Sequence, residues 1–394
     1  MPPDATVSAE QPWSAARLLW TLEPGVAHLN HGSFGAVPLP VQRAQQRLRD
    51  EAEANPTKFH SRGLMDRLAH VRRYLASFLG ADPDRTAFVP NASAGVSAVL
   101  ASLPLRADDE VLLTDHAYGA VLLAVERACE LSGARPVVRP IPLGAAPDEV
   151  VAEVSEGIGP RTRLLVIDQI ASATARLFPV AELVAAAHER DVPVLVDAAH
   201  APGMLPVRVD DLQADFWVGN LHKWGCAPRG TAVLMVGPQW RTAVRTATVS
   251  WWEPDGFPRS FDYPGTVDFT SWLAAPVGLH TLGSFGWEAL RARNAALAAH
   301  GQRTLADALG VDGADLVGDD TVSMRVVPLP PGVAATPEDA IVVRDRIAGE
   351  LRAEVNVNAW NGQGLLRVSG QAYNGCAEYE ELADQLPMLL RRMA

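Results

Sequence analysis

Through the middle of the chain, short apolar runs alternate with longer stretches in which apolar residues recur every three or four positions. The short runs predict strands at Thr86–Val89, Glu110–Leu113, Pro136–Pro140, Leu164–Asp168, Val194–Val196, Phe216–Val218 and Ala232–Met235. The longer ones predict helices at Ser93–Ser102, Gly119–Ser132 and Val180–Arg190, preceded by helical patterns over Pro38–Asp50 and Leu64–Leu79. Strands apolar at consecutive positions have no wet face. The seven should therefore form one mostly parallel sheet covered by helices on both sides.

The alternation stops near Val236. SWWEPDGFPRSFDYPGTVDFTSW follows, too irregular for sheet or helix, and then a helical region over Leu273–Leu309. A final pattern of strand, helix, two strands and helix up to Met393 predicts a smaller α/β domain. The expected organisation is α/β, with a large domain over 41–265, a small C-terminal domain over 266–394, and an N-terminal segment, 1–40, joined to them. Open parallel sheets bind ligands beyond the carboxyl ends of their strands, so the chemistry should gather there.

Two segments stand out. VDAAHAPG (Val196–Gly203) ends an apolar strand in Asp197. A carboxylate at such a place is costly to bury without a cation or several donors. Alone, Asp197 could equally cap a helix. FWVGNLHKWGCAPRG (Phe216–Gly230) ends the next strand in Asn220-Leu221-His222-Lys223. A lone Lys is usually a surface charge, but Lys223 is flanked by Trp224, Gly225 and Pro228, surroundings that favour a neutral, nucleophilic amine. An Asp that keeps a pyridine nitrogen protonated and a Lys that forms a Schiff base are the two groups pyridoxal 5′-phosphate (PLP) requires.

Together these segments resemble the class V aminotransferase family (PLP fold type I), and within it the isopenicillin N epimerase-like group, from about Leu29 to Tyr373. The resemblance implies PLP as cofactor, held as a Schiff base on Lys223, with Asp197 at the pyridine nitrogen and His200 donating to the ring's phenolic oxygen. In VPNASAG (Val89–Gly95) it places the phosphate at a helix N-terminus, on Ala92 and Ser93, with further contacts from Asn220 and His222. In TDHAYGA (Thr114–Ala120) it puts an aromatic against the pyridine face, Tyr118 first and His116 second; either could instead be ordinary loop packing. HLNHGSFG (His28–Gly35) carries Asn30 and His31 towards substrate. GTVDFT (Gly265–Thr270) brings Gly265 and Thr266 across a homodimer interface to the partner's phosphate, implying shared active sites; a loop of turn residues would read the same.

In LLRVSGQAYN (Leu365–Asn374), Arg367 lies inside an apolar strand. It is either a two-point clamp for a substrate α-carboxylate or half of an internal ion pair. SATARLFP (Ser172–Pro179) offers Ser172 to substrate or cofactor, but carries Ala175 where the family has Gly. Val355–Leu366 contains no Cys, which argues against desulfuration through a protein persulfide.

The activity expected is therefore that of a PLP enzyme working at Cα and Cβ of an amino acid, in natural-product metabolism. C–S cleavage of a cysteine S-conjugate by β-elimination comes first and epimerisation second. Transamination, decarboxylation-coupled oxidative deamination and a non-catalytic binding dimer are the remaining readings. Trp251, Trp252, Phe257, Phe261 and Trp360 either wall an apolar cleft or fill core and interface.

The charge balance narrows the partners. With 46 acidic against 34 basic residues, a net −12, the chain does not read as a binder of nucleic acid or an anionic membrane. Its three cysteines lack the spacing of a disulfide framework or a metal site, which fits a reducing cytoplasm. MPPDATVSAE has no signal-peptide pattern, and no apolar run approaches the roughly 20 residues of a membrane helix.

Overall fold

The computed structural model describes Trp13 and residues 15–393. The seven expected strands form one sheet: β1 (Thr86–Val89), β2 (Glu110–Thr114), β3 (Arg135–Arg139), β4 (Thr162–Asp168), β5 (Val194–Asp197), β6 (Phe216–Asn220) and β7 (Ala232–Val236). Their spatial order is β1-β7-β6-β5-β4-β2-β3. Only β7 runs against the rest, pairing antiparallel with both neighbours. β5, β6 and β7 are buried along their whole length, as their unbroken apolar runs require. β3, at the edge, begins and ends in Arg and is partly exposed, which discourages pairing with another chain.

Helices Ala92–Ser102 and Gly119–Ser132 pack their apolar faces on this sheet, forming one core with Leu113, Val166, Leu195 and Val218. Asn91 starts the first of them, its side chain accepting from the Ala94 amide at 2.9 Å. The helix at Pro147–Gly157 is not among the expected elements. Its start is nevertheless written in the sequence: Pro147 stands in the first turn and Glu149 accepts from the Ala146 amide at 2.6 Å.

The chain divides into two compact units. The larger comprises Pro40–Ala171 and Phe178–His280; the smaller comprises the segment up to Leu39, Ser172–Leu177 and everything from Thr281 onward. Residues 266–280 thus cluster with the larger unit, beyond the 265/266 boundary expected from sequence. The reason is local. Trp272 stacks on Phe88 of β1 at 4.8 Å and donates its indole N–H to the Gly230 carbonyl at 2.8 Å. The expected helical region is two helices, Thr270–Gly283 and Trp287–Leu309, broken where Gly286 takes a φ of 78°.

In the smaller unit, β8 (Met324–Pro328), β9 (Asn356–Trp360) and β10 (Gln363–Ser369) form an antiparallel sheet in the order β9-β10-β8. Helices Trp287–Leu309, Pro337–Leu351 and Cys376–Arg391 contribute with it to a second core. The N-terminal segment belongs here: Leu29 donates to the Glu354 carbonyl at 2.9 Å and accepts from the Ser369 amide at 2.7 Å.

Part of the aromatic stretch is core rather than cleft wall. Phe257 and Phe261 are buried in the larger unit, edge to face at 5.3 Å, whereas Trp251 is exposed. Beside Phe261, in the one-turn helix Arg259–Asp262, Asp262 forms a buried ion pair with Arg72 at 2.9 Å and accepts from the Phe88 amide at 3.2 Å.

Replacing Arg72 by Met should cost about 3–5 kcal/mol, read as a lower denaturant midpoint, because it strands a buried carboxylate. Replacing Asp262 by Leu as well should recover most of that loss. Burial pushes the Asp262 carboxyl up to about 6 against the pull of Arg72. A carboxyl raised on folding contributes most when protonated, and that contribution is lost as pH rises through about 6. The penalty of Arg72→Met alone should therefore shrink when unfolding is measured below that pH.

Candidate active site

β4 and β5 are parallel neighbours in a register that sets Asp168 beside Asp197, both at the carboxyl ends of their strands and both buried. Asp197 Oδ1 accepts from the Ala199 amide at 2.9 Å. Burial pushes its carboxyl up, while the Ala199 N–H and Lys223 pull it down. Asp168 is pushed well above the usual range by burial and then by the charge of Asp197, opposed by a hydrogen bond from the Tyr118 amide. Two desolvated carboxylates side by side favour holding one proton between them.

Lys223 follows the end of β6. Its Nζ lies 3.2 Å from His200 Nε2, and the Trp224 indole N–H donates to His200 Nδ1 at 3.3 Å. The turn is held by close backbone approach. Gly203 has a φ of 91°, and a Cβ there would overlap the Trp224 carbonyl. A Cβ on Gly278, in helix Thr270–Gly283, would come within 2.7 Å of the Gly225 carbonyl oxygen. Cys226 closes the turn in the left-handed region, fully buried, its thiol pushed up by burial.

At the start of helix Ala92–Ser102, the Ala92 amide is not open to a phosphate as the sequence reading has it. It donates to Asn220 Oδ1 at 2.8 Å. Asn220 therefore ties the end of β6 to this helix start, and Asn91 holds the Ala94 amide; neither cap engages the Ser93 amide. His222 Nδ1 lies 2.8 Å from the Thr231 carbonyl, to which it can only donate. Burial, with Lys223 and Arg229 adding to it, lowers this imidazole to about 4 despite that bond. At neutral pH its other nitrogen is therefore an acceptor, and it can donate to a phosphate only if the phosphate itself draws a proton onto the ring.

The two aromatic candidates differ in environment. His116 is buried, its Nε2 at 2.8 Å from the Ile141 carbonyl and its ring edge-on to Phe178. Tyr118 is 46 % exposed at the N-cap of helix Gly119–Ser132, on the backbone segment that Asp168 holds.

In the smaller unit, Arg367 is buried in the middle of β10. Nη1 donates to the carbonyl oxygen of Ser172 and to its hydroxyl at 3.1 Å. Nη2 donates to Asn30 Oδ1 at 3.1 Å and to the Ser33 hydroxyl at 3.0 Å. All four acceptors are neutral, so they aim the guanidinium without cancelling its charge. Asn30 is itself held by the Ser33 hydroxyl at 2.8 Å, and His31 Nδ1 meets the Tyr373 hydroxyl at 3.0 Å. Ala175 does adopt the conformation a Gly would favour, with φ 54°, and is buried there. The turn after Ser172 survives the missing Gly at the strain of one left-handed Ala.

Gly265 and Thr266 lie on the partly exposed loop between Arg259–Asp262 and helix Thr270–Gly283. Sequence reasoning missed Asp168, although it ends an apolar strand just as Asp197 does. It also missed Ser33, whose only signal was its place in HLNHGSFG. Cys129, Cys226 and Cys376 form no disulfide. Among the described residues no cluster of His, Cys, Asp or Glu is placed to hold a metal, and no helix is long and apolar enough to cross a membrane.

The family described as aminotransferase class-V matches residues 36–382. Isopenicillin N epimerase of Streptomyces clavuligerus is 33 % identical, over 96 % of this chain and 98 % of that enzyme. A putative L-cysteine desulfhydrase of Oryza sativa subsp. japonica is 31 % identical, over 93 % of this chain and 84 % of that protein. The complex of the cystine C–S lyase C-DES with its reaction product cysteine persulfide has the same fold, with a TM-score of 0.80 at 19 % identity, over 92 % of this chain and 97 % of that one. The architecture is PLP fold type I, and the chain belongs to the class V aminotransferase family.

Proposed function

We propose that this chain is a PLP-dependent C–S lyase that carries out β-elimination on a cysteine-type S-conjugate. The observation that carries the PLP assignment is the strand-end cluster. A buried carboxylate raised by desolvation calls for a cationic N–H partner, which Asp197 would find in a protonated pyridine nitrogen. Lys223 supplies the amine, His200 stands beside it, and the Ser93 end of the helix suits the phosphate. Tyr118 would cover the ring face, and Gly265 and Thr266 would reach the partner's site in a homodimer. When bound, PLP supplies the electron sink that lets charge develop at Cα.

The chain's own groups then divide the work. Arg367, with Asn30 and Ser172, grips the substrate carboxylate and fixes which Cα bond stands ready to break. Lys223 Nζ takes the Cα proton. Breaking the Cβ–S bond returns the electron pair to sulfur, and the leaving thiolate takes up a proton. Hydrolysis of the remaining three-carbon unit gives pyruvate and ammonia. This route needs one base at Cα. Epimerisation needs a second acid on the opposite face, and in the larger unit His116 and His222 are each engaged with a backbone carbonyl. The similarity to isopenicillin N epimerase favours epimerisation as the second reading.

Incubating the enzyme with amino acids and S-conjugates in deuterated water separates the two. Elimination should give pyruvate and free thiol; deuterium at Cα with no other change would establish epimerisation instead.

Asp197→Asn should keep the cofactor on Lys223, detectable by borohydride reduction and peptide mapping, yet lose most turnover, since an amide cannot hold the ring proton by charge. Near-normal turnover would reduce Asp197 to a structural residue.

Arg367→Ala should leave the cofactor's visible absorption unchanged but weaken amino-acid binding by about 2–5 kcal/mol, with Arg367→Lys recovering only part. Spectral titration with an amino acid and its decarboxylated amine checks this. If the variant still prefers the amino acid, the carboxylate is held elsewhere.

A further inference from the structure

His200 and Trp224 are both buried, 1 % and 2 % exposed, and their bond constrains where a proton can sit. An indole nitrogen only donates. His200 Nδ1, 3.3 Å from it, must therefore present a lone pair. A doubly protonated ring would set one N–H against another, so the imidazole is neutral and its single proton is on Nε2. That proton points at Lys223 Nζ, 3.2 Å away. An ammonium has no lone pair to receive it; only the uncharged amine does.

We infer that Trp224 is a positioning residue that locks His200 in the Nε2–H tautomer, so that the imidazole donates towards Lys223 and favours the uncharged, nucleophilic amine. The groups acting on Lys223 pull in different directions. Asp197 favours the ammonium. His222 is neutral near pH 7 and does not balance that charge. The His200 N–H opposes Asp197 at 3.2 Å from the amine, and Arg229, whose charge reaches the neighbouring His222, acts in the same sense. With PLP in place, the same N–H is the donor available to the ring's phenolic oxygen, and it cannot switch to acceptor while Trp224 holds Nδ1. The proposal deepens the functional reading above, and its second measurement rests on that reading. Its first does not.

The first measurement is nitrogen NMR of the full-length chain with ring-¹⁵N histidine, before and after adding pyridoxal phosphate. The His200 signals are identified by their loss in His200→Gln. The expected result is a protonated Nε2 and a bare Nδ1 in both states; a protonated Nδ1 in the wild type overturns the proposal. The second is the pH dependence of the rate at which Lys223 takes up pyridoxal phosphate. In Trp224→Phe, Nδ1 is free to carry the proton and Nε2 to accept from the ammonium. The midpoint should then move up by about one pH unit. An unchanged midpoint in a folded variant overturns the proposal. Should Trp224→Phe fail to fold, the wild-type tautomer decides by itself. If pyridoxal phosphate is not taken up at any pH, the functional reading fails while the tautomer remains measurable.

Discussion

Two carboxylates taken out of water at the ends of adjacent strands set the terms for the larger unit. Neither Asp168 nor Asp197 adds to stability by being there, since burial raises both and their proximity raises Asp168 further. Such a pair persists where something else uses it. Asp168 secures the Tyr118 backbone, and Asp197 is left facing Lys223 and whatever cation the site receives. The sheet makes this possible, because parallel strands in register bring both strand ends to one level.

Around that pair the backbone is packed tightly enough to leave the lysine turn little freedom. Gly203 and Gly278 let two separate segments approach Trp224, Gly225 and Cys226 with no side chain between them. Trp224, buried by that packing, in turn orients His200. The Lys223 amine is thus placed through its turn by two glycines and through His200 by an indole. A site held this way needs little reorganisation when its ligand arrives, which is what catalysis by fixed dipoles requires. Arg367 shows the same economy by other means, with four neutral oxygens fixing a charged fork.

The hydrophobic pattern was a good guide wherever burial was complete. All seven strands of the large sheet were readable, the partly exposed edge strand β3 from its short Pro-Val-Val centre and the others as mostly buried apolar runs, and helix Leu64–Leu79 matched at both ends because Gly63 and Gly80 punctuate it. The pattern failed where polar and apolar residues mix. Helix Pro147–Gly157 is half solvated, so its capping signals were clearer than its periodicity. In the aromatic stretch, composition could not tell Phe257, which is core, from Trp251, which is exposed.

From the sequence alone, the class of chemistry was already legible, and Asp197 and Lys223 stood out as the residues proposed to carry it. An Asp and a Lys at consecutive strand ends each have an ordinary reading alone but point to that chemistry together, and the strand ends follow from local periodicity. Residue type and spacing carry that much. What they do not carry is which hydrogen bond each polar group makes, because that depends on partners far away in the chain. Only the folded structure showed that Asn220 takes the Ala92 amide, that His222 gives its N–H to Thr231, and that Ser33 joins Asn30 and Ser172 on Arg367. The protonation of His200 belongs to the same class. It is fixed by one indole nitrogen 24 residues away, and a proton's position follows from three-dimensional donor geometry that linear order does not encode.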